Sequence, residues 1–220
     1  MKMYGSAVSP YVARIVIAAR AKGIAMSVEA APGGGIKSPE YLALNPMGKM
    51  PLLDDNGFPV AESGVILEYL EDAGGGKSLL PTDAKGRAVA RTICRITDLY
   101  LMAQTGAFFR NMNPAARNQP EVDAAVVATR KALADLEHYV SAQGPYLCGK
   151  ELTIADCTVL PSLLMCAKFM YGAFGLGDAL NATPKLSRWF SMMQADATWG
   201  PFCKEYCDGF AAFLKSRTGG

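Results

Sequence analysis

Three short clusters hold residue types that could do chemistry together: Ser9-Pro10, Lys49-Met50-Pro51 and Glu62-Ser63. Pro51 stands at the mouth of the run PLLDD, although proline cannot donate to a β-ladder and is confined to strand starts, edges and bulges. An X-Pro bond is the one peptide bond that adopts cis at small cost, and a cis proline usually serves a tight turn. With Met50-Pro51 cis, the Met50 N–H and C=O would face outward, and an extended peptide could pair with them by antiparallel hydrogen bonds. Ser63 opens a helix, so its hydroxyl and the free first-turn N–H groups could take a carboxylate. Glu62 beside it could hold an ammonium. An amine, a carboxylate and a peptide backbone in one site describe a ligand of the γ-glutamyl or amino-acid kind. The plain alternatives are that Pro51 only starts a strand and Ser63 only caps a helix.

Ser9 precedes Pro10 at another helix start, in SAVSPYVAR. Its plain reading is an N-cap serine. A helix N-terminus also favours negative charge nearby, so a ligand thiol placed there would ionise more readily, and a serine hydroxyl could donate to the thiolate. In that role Ser9 is neither nucleophile nor base; it stabilises a sulfur that belongs to the ligand.

The elements that must position these residues alternate in the first third of the chain. KMYGS and AMSVEAAP read as short strands on either side of a helix, PYVARIVIAARAKG, with Pro10 in its first turn and Gly23 at its end. After a glycine-rich loop, PEYLALN reads as a helical turn. PLLDD and FPVAE flank Asn-Gly, the strongest two-residue hairpin signal. Ser63 opens GVILEYLEDA, which the glycines at 74–76 stop. From Arg87 onward the pattern is helical: a long amphipathic stretch over 87–112, a second over 121–143, and helices from about Thr153, Pro184 and Pro201. GGGKSLLPTDAKG between the two parts has a linker's composition. The expected organisation is an α/β domain over residues 1–78 and an all-α domain over 87–220.

Bulk properties narrow the function classes. Half of the 220 residues are hydrophobic and the net charge is +2, so a sizeable core is available and nothing general suggests nucleic acid or membrane as partner. The first apolar stretch carries Arg14, Arg20 and Lys22, unlike a secretory signal, and no run approaches the 18 apolar residues of a membrane span. The six cysteines all lie from Cys94 onward without paired CxxC spacing. They read as reduced, mostly buried thiols of a cytoplasmic protein, with no metal site. His138 reads as a partly exposed helix residue and Tyr4 as a strand residue. Met102, Phe108, Phe109, Met165 and Met170 could line an apolar pocket or simply fill the core.

In this order and at these separations, the motifs resemble the cytosolic glutathione transferases over essentially the whole chain. SPYVARIVIAARAKGI resembles the serine-type classes (tau, zeta or theta-like), NPMGKMPLL the cysteinyl site, ESGVILEYL the γ-glutamyl site, and YLCGKELTIADC the box that opens a core helix of the second domain. The resemblance implies a thioredoxin-like N-terminal domain followed by an all-helical domain, glutathione as co-substrate without a metal, and a cytoplasmic homodimer active in detoxification. It implies that Ser9 is the catalytic residue, hydrogen-bonding the glutathione thiolate for attack on a small hydrophobic electrophile. Met50, followed by cis-Pro51, would pair with the cysteinyl unit through its backbone; Glu62 and Ser63 would take the γ-glutamyl end, and Lys37 and Lys49 the glycyl carboxylate. Tyr11 and Phe108 would contact the electrophile. The Thr153–Asp156 box would be structural. Isomerisation, ether cleavage and dehalogenation are alternative reactions for the same site, and a non-catalytic binding or regulatory protein is an alternative for the fold.

Overall fold

The computed structural model describes residues 1–73 and 75–218. The chain divides into two units, Met1–Leu79 with the chain end from Ala212 onward, and Leu80–Ala211. The first contains β1 (Lys2–Tyr4), α1 (Pro10–Lys22), β2 (Ser27–Glu29), α2 (Pro39–Leu44), β3 (Leu52–Asp55), β4 (Phe58–Ala61) and α3 (Ser63–Asp72). Local chemistry sets these limits as the sequence predicts. Pro10 occupies the first turn of α1, and Gly23 ends it with φ 69° while its N–H returns to the Ala19 and Arg20 carbonyls. The β3–β4 turn places Asn56 and Gly57 at φ 52° and 92°, the left-handed pair that a tight hairpin requires.

The sheet runs in the order β2-β1-β3-β4. β1 is parallel to β2 and antiparallel to β3, which is antiparallel to β4. Met3, Leu52 and Leu53 are buried completely, as are Val12, Ile15 and Ile17 of α1 and Ile66 and Leu70 of α3, and the two helices pack together. Register matters most for function. Tyr4 faces Leu52, and Leu52 faces Ala61. The end of β1, the start of β3 and the end of β4 therefore lie at one end of the sheet. A bond from Gly5 N–H to the Glu29 carbonyl brings the end of β2 there as well.

The second unit holds α4 (Ala84–Ile96), α5 (Thr105–Arg110), α6 (Gln119–Tyr139), α7 (Ile154–Leu163), α8 (Tyr171–Ala173), α9 (Pro184–Ala195) and the greater part of α10 (Trp199–Thr218). The helical pattern expected from residue 87 starts at Ala84, because Asp83 accepts from the Lys85 and Gly86 N–H groups. The stretch over 87–112 is not one α-helix: a π-turn at Thr97–Leu101 and a 3₁₀ turn at Met102–Gln104 separate α4 from α5. The helix expected from Pro201 starts at Trp199, since Asp196 accepts from the N–H groups of Thr198 and Trp199. Ile154–Ala173 is, contrary to the sequence expectation, long and apolar enough to cross a membrane by length and composition, and most of it is buried inside the protein.

The Thr153–Asp156 capping box is present and does more than cap. Asp156 is wholly buried and accepts four bonds, from Thr153 N and Oγ1, Leu147 N and Trp189 Nε1. One carboxylate thus joins the 141–149 loop, α7 and α9.

A comparable junction ties the first unit. Lys22 Nζ donates to Glu71 Oε1 (2.7 Å) and to the Lys77 carbonyl (3.2 Å). Glu71 also accepts from Ser78 Oγ and Leu79 N–H, and both charged side chains are almost fully covered. Burial alone would raise the Glu71 carboxyl; the bonds from Lys22, Ser78 and Leu79 outweigh it and hold the group below the usual range. A depressed carboxyl stabilises the fold at neutral pH and loses that contribution as pH falls through its folded-state pKa. Glu71→Gln strands the Lys22 charge and is expected to cost about 3 kcal/mol at pH 7, with a smaller loss at pH 4. Urea unfolding at the two pH values measures both; equal stability of variant and parent at pH 7 would refute the role.

Candidate active site

The peptide bond Met50-Pro51 is cis, and it immediately precedes β3 at the shared end of the sheet. Among the described residues, neither the N–H nor the C=O of Met50 has a hydrogen-bond partner. The residue before it is held firmly. Its carbonyl, that of Lys49, accepts from Tyr41 Oη at 2.6 Å and from Asn45 Nδ2 at 2.8 Å. Both donors are buried, Tyr41 at 0% and Asn45 at 1% exposure. Sequence reasoning assigned neither a role. Asn45 stood inside the NPMGKMPLL motif, and Tyr41 inside the helical turn read over PEYLALN. Gly48 adopts φ 57°, and a Cβ there would lie 2.8 Å from Lys37 Nζ and 2.9 Å from the Ile36 carbonyl. The Lys37 amine therefore lies against the same loop that carries Lys49.

Directly after β4, Glu62 takes φ 68° and ψ 116°, a left-handed conformation that a non-glycine residue adopts at a cost of about 1–3 kcal/mol. It is the N-cap of α3 without using its side chain as a cap. Ser63 follows at the first helical position, 7% exposed. The Ile66 N–H returns to the Glu62 carbonyl, while the N–H groups of Ser63 and Gly64 precede the first intrahelical bond and stay available. Among the described residues, the carboxylate of Glu62 and the ammonium groups of Lys37 and Lys49 have no ion-pair partner.

Ser9 stands at the N-cap of α1 with φ −73° and ψ 125°. Its carbonyl accepts from the Val12 and Ala13 N–H groups. Its hydroxyl, against the simplest expectation for a serine in this position, makes no capping bond. The helix start thus keeps its partial positive charge and a neighbouring hydroxyl at once, and no acidic residue occupies the first turn. Two residues on, the half-buried Tyr11 lies beneath the guanidinium of fully buried Arg14, 5.1 Å from ring centroid to charge centre.

The first unit therefore gathers Ser9, Lys37, Lys49, Met50, Glu62 and Ser63 around one end of its sheet, with Tyr11 on the first turn of the adjoining helix. Phe108 behaves differently. It belongs to the helical unit and is 1% exposed, its ring packed against Tyr171 and Phe174 at centroid distances of 6.3 and 5.4 Å. The sequence expects it to contact the electrophile; here its ring packs into the helical core with almost no open surface. Met102, Met165 and Met170 are buried likewise, and Phe109 is the exposed neighbour. Tyr4 is a strand residue whose ring meets that of Tyr41 edge-on, and His138 is exposed on α6. Burial pushes the thiols of Cys148 and Cys203 up to about 11 and that of Cys166 to about 12, so these three stay protonated at neutral pH.

The family model described as the glutathione S-transferase N-terminal domain matches residues 3–78, and that of the C-terminal domain matches residues 98–196. The chain is similar to glutathione S-transferase hmp2 of Hypomyces subiculosus, 31% identical over 220 aligned residues that cover 90% of this chain and 95% of that one. It is 34% identical to the probable glutathione S-transferase BZ2 of Zea mays, covering 86% and 84% of the two chains. Among solved structures, a delta-class glutathione transferase of Nilaparvata lugens superposes with a TM-score of 0.74 at 25% identity, covering 96% and 98%. A maleylacetoacetate isomerase of Methylobacterium extorquens AM1 with malonate and GSH bound gives 0.69 at 27% identity, covering 89% and 92%.

The backbone of Glu62 yields a test independent of any ligand. Glycine relieves the left-handed conformation but adds unfolded-state entropy worth about 0.5–1 kcal/mol. Glu62→Gly is therefore expected to be at least as stable as the parent, whereas the β-branched Glu62→Val should lose about 2 kcal/mol. Thermal unfolding decides, and a glycine variant that falls as far as the valine one would show that no strain resides there.

Proposed function

The chain belongs to the glutathione transferase family, and from that premise we propose that it is a serine-type enzyme in which Ser9 stabilises the thiolate of bound glutathione. It is a glutathione transferase; the residue roles are the proposal. The observation that carries it is the Ser9 hydroxyl, uncommitted at the N-terminus of α1. Glutathione has an ammonium and a carboxylate at its γ-glutamyl end, a cysteinyl peptide in the middle and a glycyl carboxylate at the other end. Glu62 and Ser63 with its helix-start N–H groups match the first, the unpaired Met50 backbone beside Pro51 the second, and Lys37 and Lys49 the third. Each of these groups carries the charge opposite to that ligand group, or the complementary hydrogen-bond sense.

The energetics suffice. A free thiol has a pKa near 8.5, and lowering it by about two units requires about 2.7 kcal/mol of differential stabilisation. A hydroxyl bond to an anion supplies about 1.5–3 kcal/mol and a helix terminus about 0.3–1. The proton leaves the cysteinyl sulfur to solvent, and the thiolate then attacks an electrophilic carbon. The C–S bond forms as a leaving group departs with its electron pair or, at an activated alkene, as the π electrons move to the neighbouring carbon, which takes a proton from solvent. Tyr11, held by Arg14 on the first turn of α1, contacts that hydrophobic electrophile in this reading.

Ser9→Ala is expected to lower kcat/KM for conjugation about 10–100-fold while the Kd for glutathione changes less than about threefold. The ultraviolet thiolate band of the bound complex at neutral pH should vanish in the variant. An unchanged rate would overturn the assignment. The similarity to a solved maleylacetoacetate isomerase favours one second reading, isomerisation at the same site; product analysis separates the two, since glutathione is consumed in conjugation and returned in isomerisation.

The same reading takes the protein as a cytoplasmic, detoxifying homodimer with two-fold symmetry. Exposed Leu99 and Tyr100 on a groove of about 910 Å³ between α4 and α6 support an association surface on the helical unit. Sedimentation at micromolar concentration is expected to give a dimer, and Leu99→Glu with Tyr100→Glu a monomer; a monomeric parent would refute the surface.

A further inference from the structure

We infer that Tyr41 and Asn45 are positioning residues for the ligand: by holding the Lys49 carbonyl from inside, they aim the Met50 N–H at the central carbonyl of a bound peptide. The inference rests on the reading that glutathione pairs with the Met50 backbone.

A peptide unit is planar, and in its trans form the C=O and the following N–H point in opposite directions. The Lys49 carbonyl and the Met50 N–H are the two ends of one such unit, and its bond is trans; the cis bond is the next one. Fixing the direction of the carbonyl therefore fixes the direction of the N–H. A carbonyl oxygen has two lone pairs, and Tyr41 Oη and Asn45 Nδ2 occupy both. Rotating this plane to turn the N–H inward would leave two buried donors unsatisfied at once, an arrangement that folded proteins avoid.

The donors are themselves fixed. Asn45 Oδ1 accepts from Met47 N–H, the Asn45 carbonyl accepts from Gly48 N–H, and the Asn45 N–H donates to the Tyr41 carbonyl. Tyr41 N–H donates to Ser38 Oγ, and its ring packs with Tyr4 and Leu52. Burial raises the Tyr41 hydroxyl, so it remains a neutral donor. Bonds accepted by the carbonyl also polarise the amide and strengthen the opposite N–H as a donor, by about 10–30% per bond. The Met50 carbonyl belongs to the following peptide unit and gains nothing from this arrangement. The pair should therefore act on one ligand atom, the cysteinyl carbonyl oxygen, and leave the rest of the site unchanged.

That selectivity supplies the test. Calorimetry measures the Kd of glutathione and of an analogue whose cysteinyl C=O is replaced by CH₂, with the parent, Tyr41→Phe and Asn45→Ala. Tyr41→Phe removes only the hydroxyl, and urea unfolding confirms that each variant is folded; should Asn45→Ala fail to fold, Tyr41→Phe carries the test. The expected result is glutathione affinity about 3–10-fold weaker in each variant, with the analogue bound within about twofold of the parent. In turnover, KM for glutathione should rise by the same factor while kcat stays within about twofold. Equal losses for glutathione and analogue would mean a general structural role and overturn the inference, as would variants that bind glutathione like the parent. A parent that does not bind glutathione would instead overturn the functional reading, and the inference with it.

Discussion

Leu52 pairs with Tyr4 on one side and with Ala61 on the other, and the position of every polar group in the site follows from that register. It brings the loop after β1, the approach to β3 and the exit from β4 to one end of the sheet, so the segments carrying residues 9, 50 and 62 share that end although the chain separates them widely. Hydrophobic alternation does not enforce the register, because Leu52 and Leu53 point to opposite faces and are both fully buried. The turn enforces it. Asn56 and Gly57 adopt the left-handed pair of a two-residue hairpin, Gly57 N–H donates to Asp54 Oδ1, and Asp54 meets Lys2 of the neighbouring strand at 3.4 Å. A turn at the far end of the hairpin thus decides where the chemistry is.

Around that end, polar groups fall into two sets. One set is inside and fully paired: Tyr41, Asn45 and the Lys49 carbonyl. The other is at the surface and, among the described residues, uncommitted: the Ser9 hydroxyl, the Met50 backbone, the Lys37 and Lys49 ammonium groups and the Glu62 carboxylate. Water satisfies the second set when no ligand is bound, so each bond to a ligand contributes only about 0.5–1.5 kcal/mol net. Affinity must then come from several modest interactions arranged in advance, and the inference drawn for Tyr41 and Asn45 gives that task to the first set. Glu62 shows the cost of such arrangement directly, in a backbone conformation that its own residue type disfavours.

The α/β unit was legible because its signals are local. Pro10 and Gly23 bracket α1, Asn56-Gly57 makes the hairpin, and Met50-Pro51 is cis as the proline at a strand mouth suggested. The helical unit was legible in outline and not in its joints, since a π-turn after Ile96 or a helix start at Trp199 depends on side-chain bonds that periodicity does not encode. The candidate site residues came partly from local chemistry, as at Ser9, Pro51, Glu62 and Ser63, and partly from the family resemblance, as at Lys37, Lys49 and Tyr11. What spacing could not supply was which groups would be used up internally: whether Ser9 caps its helix, whether Phe108 has open surface, or that Tyr41 and Asn45 converge on one carbonyl. Asp156 illustrates the same limit in the core, because two of its four donors come from Leu147 and Trp189, outside the box that announces it.

Sulfur is distributed unevenly between the two units. The α/β unit has no cysteine between its first residue and Leu79, and all six lie in the helical part of the chain. Where burial dominates, as at Cys148, Cys166 and Cys203, it holds the thiol protonated and away from reactants. Ser9 offers the opposite environment, a helix N-terminus with a free donor, at a position with no sulfur of its own. In the proposed reading, an electrophile therefore encounters at least three suppressed thiols in one unit and, at Ser9, a sulfur-free helix start in the other. In that reading the helix start serves a thiol that arrives with the ligand and leaves with the product, and the chain itself would not be consumed.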